Sequence, residues 1–207
     1  MIKVYGRVTS SNVMKVLWAL AEFGQAFERI DAGLSFGVVD TPEYRAMNPN
    51  GRVPTLVDGD LILWESNAIV RYLAAKYGGP AFWPADPAVR ADLDRWMDWQ
   101  QTTQGPAITP VFWGLVRTPP AERDQAAIDA GVEQTNAAFK ILDARLEGRE
   151  WVGGDALSMA DFPFAPQLHR YFNLDFERVD VPNVRRLYDN MLSRPAFVEH
   201  VSGIPIS

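Results

Sequence analysis

Three short stretches of the chain hold polar groups where a turn or a helix start would present them. Thr9-Ser10-Ser11-Asn12 offers three hydroxyls and a carboxamide between an apolar segment and a helical repeat. Such side chains cap helices, and a hydroxyl at a helix N-terminus can also donate to an anion held there. Glu65-Ser66 opens a second helical repeat. The Ser66 hydroxyl and the free N–H groups of that first turn can bind a carboxylate while Glu65 faces an ammonium, which suits a ligand carrying both groups on one carbon. Between these stretches lies Val53-Pro54. Proline has no N–H and, where the bond before it is cis, Val53 is left with its N–H and C=O turned outward and able to pair with an extended peptide. The chain has no cysteine and only two histidines, His169 and His200. A protein-supplied thiol and a disulfide are therefore excluded, and with neither histidine in a metal-ligand spacing no metal is expected.

The elements that must position these groups follow from periodicity. Residues 2–7 predict a strand, and Val13, Val16, Leu17 and Leu20 predict a helix that Gly24 stops. The next apolar run, AFERID, predicts a second strand, parallel to the first through a right-handed crossover. Thr41-Pro42 caps a short helix over PEYRAM. VPTLVDGDLILW predicts an antiparallel hairpin with Asp58-Gly59 as its turn. Ser66 then caps a helix with Ile69, Val70, Leu73 and Ala74 on one face, ended at Gly78-Gly79-Pro80.

The order is βαβαββα, which gives an α/β domain over residues 1–79, a proline-rich linker at 80–86 and an all-α domain over 87–207. In the helical part, Gly105-Pro106 and Pro110 interrupt and bend one helix. Ile128, Val132, Thr135, Phe139, Leu142 and Leu146 mark a long amphipathic one. LSMADF predicts a helix start capped by Ser158, with Asp161 reaching back and Leu157 stapled to Phe162.

Composition narrows the function classes. A net charge of −6 with no Lys/Arg run removes the electrostatic basis for binding nucleic acid. The sequence opens directly into a strand and contains no run of about 18 apolar residues, so neither a signal peptide nor a membrane span is expected. A cytoplasmic location is the default that follows.

NPNGRVPTLVDGD, with WESNAIVRYLAAKYG close behind, resembles the glutathione-binding half of cytosolic glutathione transferases. YGRVTSSNVMKVLWAL, LSMADF and SRPAF extend the resemblance over almost the whole chain, toward bacterial serine-type members of theta-, phi- or beta-like character. It implies a thioredoxin-like N-terminal domain, transferase activity with glutathione as co-substrate and no metal, a role in detoxification, and a homodimer with the third and fourth helices near its interface.

Residue by residue, the resemblance puts Ser10 where serine-type members carry their catalytic serine, when Tyr5 to Val16 is aligned without gaps. Ser11 and Asn12 stay open, because a single gap shifts the register. Arg52 would pair with the glycine carboxylate of glutathione and Val53, before a cis Pro54, with its backbone. Glu65 and Ser66 would hold the γ-glutamyl end. The electrophile is expected to be small and hydrophobic, against a wall drawn from Trp96, Trp99, Phe112, Trp113 and Met14, with Met14 and Trp113 the candidates for substrate contact. The alternatives are a glutathione-dependent disulfide or peroxide reductase or isomerase on the same fold, and a non-catalytic interaction module.

Overall fold

A four-stranded sheet in the order β2-β1-β3-β4 forms the N-terminal part of the computed structural model, which describes all 207 residues. β1 (Ile2–Tyr5) pairs in parallel with β2 (Phe27–Ile30) and antiparallel with β3 (Thr55–Asp58), which pairs antiparallel with β4 (Leu61–Trp64). The parallel pair is joined through α1 (Ser11–Glu22), as the crossover rule requires. α2 (Pro42–Met47) starts on the Thr41 hydroxyl, which accepts from the Tyr44 N–H at 3.2 Å. α3 (Ser66–Leu73) follows the hairpin, runs on into a wide turn at Ala74–Gly78, and packs against α1.

Asp58 stands opposite Leu61, so Gly59-Asp60 forms the hairpin turn, one residue later than the Asp58-Gly59 expected. Gly59 has φ +62, which a residue without Cβ adopts freely. Asp58 is thereby free to tie the hairpin to the helix: its carboxylate accepts from the Tyr72 hydroxyl at 2.8 Å, Lys76 Nζ at 2.8 Å and the Tyr77 hydroxyl at 2.6 Å. The segment expected to be linker begins with a helical turn, α4 (Gly79–Phe82).

The remaining chain is helical. α5 (Pro87–Trp99), capped by Asp86, and α6 (Gly105–Phe112) are joined by a widened turn at Gln100–Gln104, and a second one follows at Trp113–Arg117. The expected interruption is thus a widening. Pro106 and Pro110 each remove one N–H from the ladder, and wide turns take up the mismatch without ending the helical run. α6 packs along α7 (Gln125–Arg145), the long amphipathic helix of the 128–146 pattern. α8 (Ala165–Asn173), α9 (Pro182–Leu192) and α10 (Pro195–Phe197) complete the fold.

Trp18 of α1 joins the two parts, with its ring edge-on to Phe162 at 4.7 Å and to Phe197 at 5.3 Å. Its Nε1 donates to Glu22 Oε1 at 2.8 Å, and that carboxylate also receives Arg194 Nε at 2.7 Å.

Helix α8 begins at Ala165, later than the start expected at Ser158, and residues 159–164 form turns. Only part of the expected capping box forms. The fully buried Asp161 accepts the Val152 N–H at 2.8 Å, the Ser158 N–H at 2.9 Å and the Ser158 hydroxyl at 2.7 Å. Its carboxylate anchors a loop, and burial raises its pKa to about 6. Asp161→Ala would strand two buried amides, each at a cost of about 1–3 kcal/mol, whereas Ser158→Ala removes one hydroxyl. We predict that Asp161→Ala lowers unfolding free energy by at least about 2 kcal/mol more than Ser158→Ala in urea melts at neutral pH. Equal losses would remove the anchoring role.

Candidate functional site

The turn after β1 brings Ser10 to the N-cap of α1. Its carbonyl accepts from the Val13 and Met14 N–H groups, both at 2.9 Å, while its hydroxyl makes no cap hydrogen bond. A buried serine at a helix N-terminus whose hydroxyl is not spent on the helix remains available to a ligand. Ser11 and Asn12 follow in the first turn, and the Asn12 side-chain oxygen accepts from the Ser66 hydroxyl at 3.3 Å.

Arg52-Val53-Pro54 is gripped from below. The Tyr44 hydroxyl and Asn48 Nδ2 donate to the Arg52 carbonyl at 2.7 and 2.8 Å, and both reach Thr55 Oγ1, at 2.8 and 3.1 Å. The Val53-Pro54 bond is cis. The Val53 N–H and C=O pair with no other backbone group. Unpaired strand-like backbone beside an open groove is what an added peptide would use. The Arg52 side chain is exposed and makes no hydrogen bond to the protein.

Glu65, and not the Ser66 expected, is the N-cap residue of α3. No side chain caps the helix, Ser66 being its first residue, and Glu65 sits at φ +70, in a region that costs a non-glycine residue about 1–3 kcal/mol. That conformation leaves its carboxylate exposed at the cleft, with only Gln101 Nε2 at 3.4 Å. Ser66 beside it is buried.

These groups surround three adjoining clefts, and Asn12 borders all of them. The first, about 220 Å³, lies between Arg52-Val53-Pro54 and Glu65-Ser66. The second, about 450 Å³, runs from Ser11, Lys15, Glu65 and Ser66 to Gln100 and Arg170. The third, about 510 Å³, includes Ser10, Ser11, Arg52 and Val53 on one side and Phe112, Trp113, Arg117 and Arg170 on the other. Eight of the polar and backbone candidates named from the sequence, Ser10, Ser11, Asn12, Arg52, Val53, Pro54, Glu65 and Ser66, therefore share one continuous groove.

Trp113 borders it too and is half exposed. Met14 does not. It is buried in the hydrophobic core, because α1 is enclosed by α3 on one side and the helical part on the other, so its side chain faces packing and not the cleft. Trp96 and Trp99 likewise pack edge to face against each other at 5.2 Å and onto the core.

The group missed by sequence reasoning is Lys15. It is 2% exposed, and its Nζ donates to Gln100 Oε1 at 3.2 Å, Asn67 Oδ1 at 3.4 Å and Ser66 Oγ at 3.5 Å, so it links α1, α3 and the turn after α5. Its signal in the sequence is a single cation inside the apolar run Val13–Leu20. Burial, opposed by the Glu65 carboxylate and assisted by Arg170, lowers its pKa to about 7.

The other missed groups are Arg7, Arg117 and Arg170, on separate elements that only the tertiary fold assembles. No set of three or more His, Asp or Glu side chains is placed to hold a metal ion. No helix is long and apolar enough to cross a membrane.

The lowered pKa of Lys15 has a stability consequence. The unfolded chain holds the proton up to about pH 10.5 and the folded chain only to about 7, so the penalty for burying this group grows as pH falls from 10.5 to 7 and is constant below. Stability relative to Lys15→Met is therefore predicted to rise between pH 7 and 9, with a limiting slope of about 1.4 kcal/mol per pH unit. Urea melts of both proteins at pH 7, 8 and 9 measure it, and a pH-independent difference would overturn the assignment.

The comparisons with known proteins agree along the whole chain. The family models for the glutathione S-transferase N-terminal and C-terminal domains match residues 1–75 and 105–195. The Escherichia coli protein glutathione S-transferase GstB is 47% identical, with all of both chains covered. The theta class glutathione S-transferase of Xanthomonas axonopodis pv. citri, solved with glutathione bound, superposes with a TM-score of 0.95 at 45% identity, covering 100% of this chain and 99% of that one. A glutathione transferase of Burkholderia graminis, solved with two glutathione molecules per subunit, gives 0.84 at 28% identity, over 96% of this chain and 86% of that one. Matched over both halves and nearly half identical to a curated relative throughout, this chain belongs to the glutathione S-transferase family.

Proposed function

We propose that this glutathione transferase holds glutathione extended across the groove and activates its thiol through the Ser10 hydroxyl. Arg52 receives the glycine carboxylate, Val53 pairs with the cysteinyl backbone, Ser66 and the α3 N-terminus take the γ-glutamyl carboxylate, and Glu65 takes its ammonium. The observation that carries this reading is the unspent Ser10 hydroxyl at the N-terminus of α1, on the same groove as the other contacts. The glutathione-bound Xanthomonas relative supports the ligand.

The magnitudes favour a hydrogen-bond donor. A thiol of pKa about 8.5 is only about 3% ionised at pH 7, and lowering the pKa by two units takes about 2.7 kcal/mol of thiolate stabilisation. A hydrogen bond to a charged group supplies about 1.5–3 kcal/mol, against about 0.3–1 from an exposed helix N-terminus. Ser10 donates to sulfur and is not itself a nucleophile, so it needs no histidine base. The thiolate then attacks a small electrophile whose apolar body lies on Phe112, Trp113 and Leu34.

The proposal extends to the assembly. Residues 1–79 act as the glutathione-binding domain and 87–207 as the helical domain, in a cytoplasmic homodimer. Leu61, Ile62 and Trp64 on the edge strand β4 and Val89 on α5 are exposed and support an interface beside α3 and the α5–α6 run, the fourth helix expected from the sequence. Sedimentation is expected to show a dimer, and a monomer alone at micromolar concentration would count against it.

Ser10→Ala is expected to raise the pKa of bound glutathione by about one to two units, which corresponds to the loss of about 1.5–3 kcal/mol. Conjugation near neutral pH falls about 10- to 100-fold, while glutathione affinity changes less than about threefold. The thiolate absorbance titration and the pH–rate profile measure both. If Ser11→Ala or Asn12→Ala shifts the titration and Ser10→Ala does not, the role moves along the turn. If none does, serine-type activation is wrong.

A further inference from the structure

The third cleft is lined by four arginines, Arg7, Arg52, Arg117 and Arg170, and by no carboxylate. Three of the four have side chains with no hydrogen bond to the protein. Arg117 alone is engaged, donating to a main-chain oxygen of Ser207, the last residue of the chain. Arg7, Arg52 and Arg170 take part in no ion pair, although the chain carries 26 acidic residues and a net charge of −6. The Nε atoms of Arg7 and Arg117 are buried without any partner.

Arg170, on α8, lies 3.7 Å from the centre of the Phe112 ring, and Arg117 lies 5.6 Å from it. The aromatic face steadies both guanidiniums, and Arg170, with no hydrogen bond to the protein, keeps its N–H groups for the cleft. Burial and then the nearby charges of Arg117 and Arg7 lower the pKa of Arg170 to about 10. Partly buried cations that repel each other and lack a counter-ion are unfavourable in the empty protein, and a bound anion removes that cost.

We propose that the third cleft selects a thiol acceptor bearing a carboxylate, held by Arg7, Arg117 and Arg170 while its apolar body lies on Phe112 and Trp113. The inference rests on the transferase reading above, in which Arg52 is committed to glutathione. The reaction itself is a substitution: the thiolate forms a C–S bond at the acceptor carbon, the carbon–halogen bond breaks, and halide leaves with the electron pair. The carboxylate keeps its charge throughout and serves only for recognition. Guanidinium donors in pairs match the two oxygens of such a group.

The test uses a p-chloro-dinitrobenzoate, with nitro groups flanking the chlorine, and the matching p-chloro-dinitrobenzamide, which differ in charge and little in shape. Each kcat/KM is divided by the uncatalysed rate with glutathione, so that intrinsic reactivity cancels. The benzoate is expected to exceed the benzamide by about tenfold or more, chiefly through KM, and high salt to compress the ratio. Arg7→Gln and Arg170→Gln, made separately, should each lower the ratio about tenfold, and Arg170→Lys should restore part of it.

A ratio near one in the native enzyme, or a ratio that neither glutamine variant moves, overturns the anion pocket while leaving the transferase reading intact. Absence of conjugation with both acceptors, despite glutathione binding by calorimetry, overturns the transferase reading and the pocket with it. Two glutathione molecules bound per chain, with the second lost in Arg170→Gln, would make glutathione itself the anionic occupant and overturn the small-acceptor assignment.

Discussion

The N-termini of α1 and α3 open onto the same groove, and the buried Lys15 amine between them makes that arrangement possible. Where they meet, the side-chain oxygens of Ser66, Asn67 and Gln100 are buried, and acceptors cut off from water need a donor. Lys15 donates to Ser66, Asn67 and Gln100, so that one side chain ties the two helices to the helical half of the molecule. Asn67 Nδ2 in turn donates to the Met97 carbonyl at 2.8 Å, and Gln100 Nε2 to Gln104 Oε1 at 3.2 Å. The network is buried and leaves only Gln104 Nε2 without a partner, which fixes the groove before any ligand arrives. Its cost is visible in the lowered pKa of the amine itself.

From that constraint the division of labour in the groove follows. On the sheet side, backbone and hydroxyl groups are held ready and unspent: the Val53 amide, the Ser10 hydroxyl, and the first turn of α3. Glu65 is held there at a positive φ, and the loop of Arg52 is clamped by Tyr44 and Asn48 from inside the fold. Strain and clamping at these points are offset by the packing of α1, whose residues from Val13 to Leu20 are all buried. On the helical side the wide turns at Gln100–Gln104 and Trp113–Arg117 carry Gln100, Gln101 and Arg117, whose amide and guanidinium groups border the clefts.

Most of the sheet side was legible in the sequence, because each element there is set by local chemistry. Thr41-Pro42, the hairpin glycine and Ser66 at a helix start are short-range signals. The errors there were one residue in register, Asp58 belonging to the strand and Glu65 taking the N-cap expected of Ser66. In the helical half a loop anchored by Asp161 replaces the start expected at Ser158, and the helix begins at Ala165. Met14 shows where periodicity stops being informative. A helix buried all round has no distinct face, so the phase of Val13, Val16, Leu17 and Leu20 could not say that Met14 turns toward the core. Arg7, Arg117 and Arg170 come from the end of β1, the turn after α6 and α8, and their meeting depends on helix placement that no spacing encodes.

The charge distribution carries the synthesis one step further. A protein of net charge −6 with a cationic cleft repels anions in general and attracts them at one place, which favours selection over strength of binding. The same arginines bear on the thiol, since a positive field lowers the pKa of any nearby acid. An acceptor carrying a single carboxylate would neutralise only part of three guanidinium charges, so a thiolate held at Ser10, as proposed, would keep a favourable field after the acceptor binds. An apolar pocket would give no such reserve, and Ser10 would then have to supply nearly all of the thiolate stabilisation alone. On the proposed reading the cationic cleft couples acceptor choice to thiol activation, through Arg117 and Arg170 on the wall opposite the hydroxyl and Arg7 in the same turn as Ser10.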